Sequence, residues 1–343
     1  MKLILLIFLW LLPLVSYAEE KILNIYGWSG EIPDQVIQQF EKESGIKVNF
    51  STYENNEVMF AKLRALKKAN YDLIIPSGYF VDRMRKLNML QTLDKTKIPN
   101  WKNLNPNFTN AAYDPGSIFS VPFIWGVTGI FVNQQYYSPV SIKKWADLWQ
   151  ERFNNQLMLL EDMRDAFSIA LLTMGYSIND RDPQHLQAAF LKLKTLMKNI
   201  KVFSTDTVVS IMIDEDATVG IAWNGDVYKA SQENPNLKFI FPAEGFMIWI
   251  DTFAIPRNAE HQDAAYAFIN FLLRPEISQY MALQTNYATA NLAAQKLLPE
   301  NIRNNPEVYP PAKILTRGQF QTDLGDETLA LMEKYWEQLK MGG

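Results

Sequence analysis

Five short stretches of this sequence combine residue types that could bind a cation: four pair a tryptophan or tyrosine with a carboxylate or a small polar residue, and one carries three carboxylates. They are Tyr26-Gly27-Trp28-Ser29, Pro76-Ser77-Gly78-Tyr79, Glu161-Asp162-Met163-Arg164-Asp165, Trp223-Asn224-Gly225 and Trp249-Ile250-Asp251. An alkyl ammonium ion is stabilised by a carboxylate that replaces its hydration shell and by flat aromatic faces that attract its charge. Each stretch ends or interrupts an apolar, strand-like run, where an α/β domain often carries ligand-contacting groups. The residue types therefore predict one cleft that binds a cation with an apolar body.

This composition offers few residues that could bind a metal ion or a cofactor. The chain has no cysteine, and its two histidines, His185 and His261, lie in polar segments away from the five stretches, where we expect surface positions. Zinc, copper and haem sites draw mainly on these two residue types, so no metal site and no cofactor are expected. The formal net charge of −4 at pH 7 argues against nucleic acid as a partner.

The N-terminus has the features of a secretory signal. Met1-Lys2 is followed by an apolar run from Leu3 to Leu12 and by Ser16-Tyr17-Ala18, which places small residues where signal peptidase reads them. We expect cleavage after Ala18 and export to a bacterial periplasm, because no later segment approaches the roughly 20 apolar residues of a membrane span. The lack of cysteine excludes both disulfides and a lipid anchor at the cleavage site.

Strand-like and helix-like segments alternate along the rest of the chain. Strands are predicted at 22–26, 47–52, 71–75, 156–160, 218–223 and 237–241. Helices are predicted at 34–44, 56–67, from Val81, at 164–172, 182–197, 262–273 and 275–283. The apolar stretches 120–132 and 246–255 lack the polar flanks of loops and are predicted to cross between two halves. The fold class is therefore α/β, with two lobes and a hinged cleft that closes on a ligand.

Several sequence words resemble the periplasmic spermidine/putrescine-binding proteins of bacterial ABC importers. They include Ser51-Thr52-Tyr53-Glu54-Asn55-Asn56-Glu57, Tyr71-Asp72-Leu73-Ile74-Ile75-Pro76-Ser77, Trp145-Ala146-Asp147-Leu148-Trp149, Ile269-Asn270-Phe271-Leu272-Leu273-Arg274-Pro275 and Asn291-Leu292-Ala293-Ala294. Their order and spacing hold from about Ile22 to Lys340. The resemblance implies a type II-like periplasmic binding protein that is not an enzyme. It also implies a monomer that captures spermidine or putrescine and delivers it to an inner-membrane ABC permease.

The resemblance assigns roles to single residues. An aromatic box around the polyamine methylenes is implied for Trp28, Tyr79, Trp223, Trp249 and Tyr287. Carboxylates that bind the amines are implied at Asp162, Asp165 and Asp251. Polar residues that complete the ammonium hydrogen bonds are implied at Ser29, Ser77 and Gln321.

The chain departs from this pattern at two places. Gly30 and Glu31 stand where the resemblance leads one to expect a glutamate and then a tyrosine, and Asp165 stands in place of a longer glutamate. Glu31 either restores the carboxylate one position later or faces solvent. If it restores the carboxylate, an extra ammonium group could use it, which predicts tighter binding of spermidine than of putrescine.

The predicted boundaries place a signal peptide at 1–18, a first lobe at 19–130 with about 252–295, and a second lobe at about 131–251 with 296–343. Other interpretations stay open from the residues. Asp162 and Asp165 suit the N-cap and first turn of the helix that follows them. The same pocket would also serve a receptor or sensor for another organic cation, and paired carboxylates beside aromatic platforms occur in carbohydrate-active enzymes.

Overall fold

The structure is a computed structural model that describes residues 21–65 and 70–342. The predicted signal peptide lies outside these residues. The strands are β1 (Ile22–Trp28), β2 (Lys47–Tyr53), β3 (Leu73–Ile74), β4 (Ser120–Asn133), β5 (Leu157–Leu159), β6 (Ile200–Phe203), β7 (Val219–Trp223), β8 (Leu237–Ile240), β9 (Phe246–Ala254), β10 (Ala288–Thr289) and β11 (Gly318–Phe320). Within the described ranges, no helix is both long and apolar enough to cross a membrane.

The helices alternate with these strands along most of the chain. They are α1 (Asp34–Ser44), α2 (Asn56–Ala65), α3 (Gly78–Lys86), α4 (Met163–Thr173), α5 (Pro183–Leu196), α6 (Val208–Ile213), α7 (Asn224–Ser231), α8 (Gln262–Leu272), α9 (Pro275–Thr285), α10 (Leu292–Leu297), α11 (Glu300–Arg303), α12 (Ala312–Leu315) and α13 (Asp326–Gly342). Short 3₁₀ helices occupy parts of the connections, as at Trp145–Trp149.

The sheet places β4 and β9 at its centre. Its order is β2-β1-β3-β9-β4-β7-β5-β6, with β8 and β10 also paired to β4 and β11 paired to β9. Strand β1 runs parallel to both β2 and β3, as expected when helices connect successive strands. Strands β4 and β9 are antiparallel to each other from the Ser120–Ala254 pair to the Thr128–Met247 pair. These two long strands are the predicted crossings.

Each crossing strand belongs to both halves of the molecule. The C-terminal end of β9 pairs with β3 at Ala254, whereas its first three residues pair with β11. Strand β4 pairs with β7 and β8 only beyond Gly126, between Thr128 and Asn133. We call the half built on β1–β3 the first lobe and the half built on β5–β8 the second lobe. The predicted residue boundaries of the lobes stay a prediction.

Two hydrophobic clusters form the interior. One lies in the first lobe, where Phe40 of α1 packs edge-on against Phe268 of α8 with ring centroids 4.8 Å apart. The other fills the second lobe around the fully buried Phe167 and reaches the cleft side of the first lobe through Tyr26 and Tyr53. Burial on both faces explains why the crossing strands are continuously apolar.

One predicted strand is shorter in the structure. Strand β3 contains only Leu73 and Ile74 of the five predicted residues, although the Asp72 and Ile75 N–H groups on either side also donate to the backbone carbonyls of Asn24 (2.7 Å) and Tyr26 (3.1 Å) in β1. His185 and His261 lie at the surface as expected, but their side chains are only partly exposed, at 33% and 39%. Their Nδ1 atoms lie 2.9 and 3.0 Å from carboxylate oxygens of Asp180 and Asp72, which hold the rings against the protein.

Candidate ligand-binding site

A cavity of about 430 Å³ lies between the two lobes. All twelve residues predicted as ligand contacts line it, and they are Trp28, Ser29, Glu31, Ser77, Tyr79, Asp162, Asp165, Trp223, Trp249, Asp251, Tyr287 and Gln321. Ser29 is exposed at the mouth, whereas the acids of the set are mostly buried. The structure therefore brings together segments that are separated by up to 293 positions in the sequence, from Trp28 to Gln321.

The crossing strand β9, which is paired with β4, supplies the floor of this cavity. Trp249 and Asp251 are two residues apart on β9, so their side chains leave the same face of the sheet. Trp249 lies opposite Gly126 of β4. A Cβ atom at Gly126 would come within 2.4 Å of Cζ2 of Trp249 and 2.6 Å of Oδ1 of Asn224. The indole can lie flat on the strand only because residue 126 is a glycine.

The Trp223-Asn224-Gly225 stretch places one wall through three different contacts. Oδ1 of Asn224 accepts a hydrogen bond from the Val127 N–H (2.9 Å), which ties the start of α7 to β4. A Cβ atom at Gly225 would lie 2.2 Å from Cδ1 of Tyr287, so this glycine admits the tyrosine ring. The Trp223 and Trp249 rings then meet edge to face, with centroids 6.4 Å apart, which forms an aromatic corner.

The opposite wall comes from the first lobe. The Trp28 ring packs against Tyr53 with centroids 4.7 Å apart. Nδ2 of Asn56 donates to the Tyr79 hydroxyl (3.2 Å) and to Oγ of Ser77 (3.0 Å), which fixes both side chains at the start of α3. The cavity thus has aromatic surfaces on both lobes, as a ligand with a methylene chain would require.

Asp251 and Glu31 form one acidic group at one end of the cavity. Oγ of Ser77 donates to Oδ1 of Asp251 at 2.5 Å, and burial raises the pKa of Asp251 to about 6. Burial and the neighbouring Asp251 charge raise the pKa of Glu31 well above its ordinary value. Glu31 is 8% exposed, and its Oε2 atom has no hydrogen-bond partner among the described residues. The alternative in which Glu31 faces solvent is therefore wrong.

A second acidic group lies at the start of α4. Oδ1 of Asp162 accepts from the Asp165 N–H (2.9 Å), so the predicted N-cap role is confirmed and coexists with a place on the cavity wall. The Asp165 carboxylate accepts from Oγ1 of Thr128 (2.9 Å) and from Nε2 of Gln321 (3.1 Å). Burial and the Asp162 charge raise the pKa of Asp165 to about 8. Across the cleft, burial and Asp162 raise the pKa of Glu57 in α2 to about 7.

Sequence reasoning missed several lining residues, of which Asp226 is chemically the most telling. Its carboxylate accepts a hydrogen bond from the Tyr287 hydroxyl (2.7 Å), and burial raises its pKa to about 6. The sequence feature that could have indicated Asp226 is its position in the first helical turn, three residues after Trp223. With Glu54 and Asp206 at the rim, seven acidic residues line the cavity, and Lys229 is the one lysine or arginine among the described lining residues.

Comparison with known proteins identifies the family. The profile described as "Bacterial extracellular solute-binding protein" matches residues 35–310. The chain belongs to this family. The spermidine/putrescine-binding periplasmic protein of Salmonella typhimurium LT2 is 42% identical, over 95% of this chain and 93% of the relative. The putrescine-binding periplasmic protein PotF of Escherichia coli K12 is 34% identical, over 95% of this chain and 93% of the relative.

Solved structures agree with this assignment. A structure from Listeria monocytogenes superposes with a TM-score of 0.91 at 34% identity, over 94% of this chain and 99% of the other. The substrate-binding protein PotD of a spermidine/putrescine ABC transporter from Streptococcus pneumoniae superposes with a TM-score of 0.79 at 33% identity, over 94% and 99%. The predicted two-lobed periplasmic binding protein fold is confirmed.

Proposed function

We propose that this protein is the periplasmic receptor of a polyamine importer and that it catalyses no reaction. It holds a polyamine in the interlobe cavity and delivers it, as a monomer, to an inner-membrane ABC permease. The observation that carries the proposal is the composition of the cavity wall, in which seven acidic residues and several aromatic rings face one lysine. Such a wall favours a ligand that is both multiply cationic and apolar between its charges.

The binding free energy of a polyamine in such a cavity can be estimated from its parts. Burying the four methylenes of putrescine contributes roughly 3 kcal/mol at about 0.8 kcal/mol each. Each charge-assisted hydrogen bond adds about 1.5–3 kcal/mol before the ordering costs. Micromolar affinity requires about 8 kcal/mol. One such bond per amine gives about 6–9 kcal/mol before the ordering costs, so micromolar binding requires more than one charge-assisted hydrogen bond for at least one amine.

The spacing of the two acidic groups favours a ligand longer than putrescine. Asp251 lies opposite Ile124 on β4, and Asp165 is hydrogen-bonded to Thr128, four residues further along the same strand. Four residues of strand span about 13 Å at roughly 3.3 Å each. At about 1.2 Å per bond, as in an extended peptide, spermidine places its terminal nitrogens about 11 Å apart and putrescine about 6 Å. With a hydrogen bond of about 2.8 Å at each end, spermidine spans about 17 Å and reaches both acidic groups, whereas putrescine spans about 12 Å and falls short of this separation.

In this proposal each amine has its own partners. Asp251 and Glu31, with Asp226 nearby, bind the amines at one end, and Ser77 orients the Asp251 carboxylate. Asp165 and Asp162 bind the amine at the other end. The ligand-contact set is completed by Gln321, by Ser29 at the mouth and by the aromatic residues Trp28, Tyr79, Trp223, Trp249 and Tyr287.

Calorimetric titration of residues 19–343 tests the proposal. The ligands are spermidine, putrescine, arginine as another organic cation, and a neutral oligosaccharide. We expect both polyamines to bind, spermidine more tightly, and the oligosaccharide to give no heat. Absence of polyamine binding would refute the function, and slow release of reducing sugar would restore the glycosidase alternative.

A further inference from the structure

An ion-pair cluster joins the two lobes at the edge of the cleft. None of its residues is among the predicted ligand contacts. Nη1 of Arg83 in α3 lies 3.1 Å from Oδ1 of Asp323, and Nη2 of Arg83 contacts the Asp326 carboxylate. Nζ of Lys86 lies 3.6 Å from the other Asp323 oxygen. We call Arg83, Lys86, Asp323 and Asp326 the interlobe latch. None of the four lines the cavity.

The partners belong to different lobes. Helix α3 follows β3, which pairs with β1 in the first lobe. Asp323 is held by the second lobe, because its carbonyl oxygen accepts a bond from Nη2 of Arg181 at 2.7 Å. The neighbouring Thr322 is held in the same way, since its N–H donates to Oδ1 of Asn179 (2.8 Å). The ion pairs therefore form only when the lobes are together.

The central ion pair is well shielded from solvent. The Arg83 and Asp323 side chains are 9% and 12% exposed, and the guanidinium also lies over the Phe60 ring, 4.7 Å from its centroid. Burial alone would raise the pKa of Asp323, but hydrogen bonds from the Gly325 N–H and Arg83 hold it below its ordinary value. Removing one partner of a shielded pair leaves the other charge buried without compensation, so breaking this pair costs more than breaking a typical surface contact.

The latch lies on the same two segments as two cavity residues. Tyr79 precedes Arg83 by one helical turn in α3, and Gln321 precedes Asp323 by two residues. The Arg164 guanidinium stacks on Tyr79 at 5.0 Å from the ring centroid, while its Nη1 donates to the Thr322 carbonyl (3.2 Å). A change in the distance between these segments therefore moves the latch and the cavity walls together.

We propose that Arg83 and Asp323 are positioning residues that set ligand affinity by stabilising the closed arrangement of the lobes. The proposal rests on the polyamine-binding function for its affinity readout only. When a closed form binds the ligand, the measured dissociation constant is the intrinsic one divided by the fraction of closed protein. Loss of the latch then weakens the binding of every ligand by the same factor. Changes to the cavity wall alter the affinity for one ligand more than for another.

Affinity measurements on latch variants are the first test. Arg83→Met keeps the apolar stem on Phe60 and should weaken spermidine and putrescine binding alike, by about tenfold, a value between those of exposed and buried ion pairs. Asp323→Asn should reduce the affinity less, because Asp326 still pairs with Arg83. The double variant should reduce the affinity no more than Arg83→Met alone. Arg83→Lys should restore most of the affinity. Arg85→Met is the matched control, since the partners of Arg85 among the described residues are Asp82 and the Tyr113 carbonyl, both in the first lobe.

The distance between the lobes is a second test that needs no ligand. Because the chain has no cysteine, Lys42→Cys in α1 and Glu337→Cys in α13 give two unique spin-label sites, one on each lobe. In the free protein, Arg83→Met should shift the distance distribution away from that of the parent, and Arg85→Met should not. Equal distributions in the parent and Arg83→Met would overturn the proposal, as would an altered ratio of the two polyamine affinities. A parent that binds no polyamine would refute the proposed function, and the distances alone would then decide on the latch.

Discussion

Lowering the pH from 8 to 6 should weaken polyamine binding, because buried carboxyl groups in the cavity must lose protons before they pair with ammonium groups. The pKa of Asp165 is raised to about 8 and that of Asp251 to about 6, in both cases mainly by burial. Glu31 shifts in the same direction, by burial and by the Asp251 charge. An ammonium group beside each carboxyl lowers its pKa again, so binding releases protons.

The size of the effect follows from these values. At pH 7 a carboxyl with a pKa of about 8 is about nine-tenths protonated, and one with a pKa of about 6 about one-tenth, so Asp165 and Asp251 together hold about one proton. Each proton released changes the binding constant about tenfold per pH unit, or about 1.4 kcal/mol. We expect affinity to fall by tenfold or more between pH 7 and 6 and to change little above pH 8, until the ligand amines lose protons.

Calorimetry in buffers of different ionisation enthalpy measures the released protons directly. At pH 7 the apparent enthalpy should differ between phosphate and Tris by the amount expected for at least one proton, because protonated Glu31 adds to the proton held by Asp165 and Asp251. Asp165→Asn should reduce that difference by about nine-tenths of a proton, because Asp165 is protonated to about that extent at this pH. Equal enthalpies in both buffers, together with a flat affinity between pH 6 and 8, would refute the reasoning.

Protonation of these buried carboxyl groups weakens ligand binding but stabilises the free protein against unfolding. A carboxyl with a raised pKa binds protons more tightly in the folded than in the unfolded chain, so its stabilising contribution is full below about pH 4 and is lost as the pH rises through the folded pKa. The free protein should therefore lose part of its unfolding free energy between about pH 4 and 8. Spermidine should stabilise it more at pH 8 than at pH 6, as denaturant unfolding with and without ligand would test.

Three substitutions test single residues of the cavity by calorimetric titration. Asp251→Asn keeps the shape but removes the charge and should weaken polyamine binding by about 2–4 kcal/mol if the pair is desolvated; unchanged titration curves would disprove the assignment. Glu31→Gln should reduce spermidine affinity more than putrescine affinity, because only spermidine has a third amine for Glu31, and equal losses would contradict this. Gly126→Ala should displace the Trp249 ring and weaken the binding of both ligands, with a changed tryptophan emission spectrum. Gly342→Ala at the end of α13, where an added Cβ atom meets no described atom within 4 Å, should leave the Trp249 environment unchanged.

The sequence predicted the elements whose signals are local. Helix α1 has the predicted bounds, Asp34 to Ser44, because its amphipathic pattern ends at Gly45, which adopts a positive φ of 69°. The crossing strands were predicted from continuous apolar runs, which reflect burial on both faces. Helix α13 and strand β11 were not predicted, and neither was the early start of α3 at Gly78, where Ser77 is held in an extended conformation by Asn56.

The site was predictable where the resemblance supplied a residue for each position, and less so elsewhere. Whether Glu31 faces the ligand depends on how the loop after β1 packs over Asp251, and no sequence pattern encodes that. The Arg83–Asp323 pair joins residues 240 positions apart, so it leaves no local signal. Asp226 resembled an ordinary first-turn acid of a helix until the structure placed it beside the Tyr287 hydroxyl.

The position of Trp249 and Asp251 on a crossing strand has a consequence for redesigning the pocket. Their backbone is part of the β4–β9 ladder that connects the lobes, so a change that moves them also disturbs the hinge. Glu31 and Asp226 lie instead on a loop and at a helix start, outside every ladder. Variants intended for longer, shorter or differently charged ligands are therefore best built at these two wall positions, where selectivity can change while the joint between the lobes keeps its geometry.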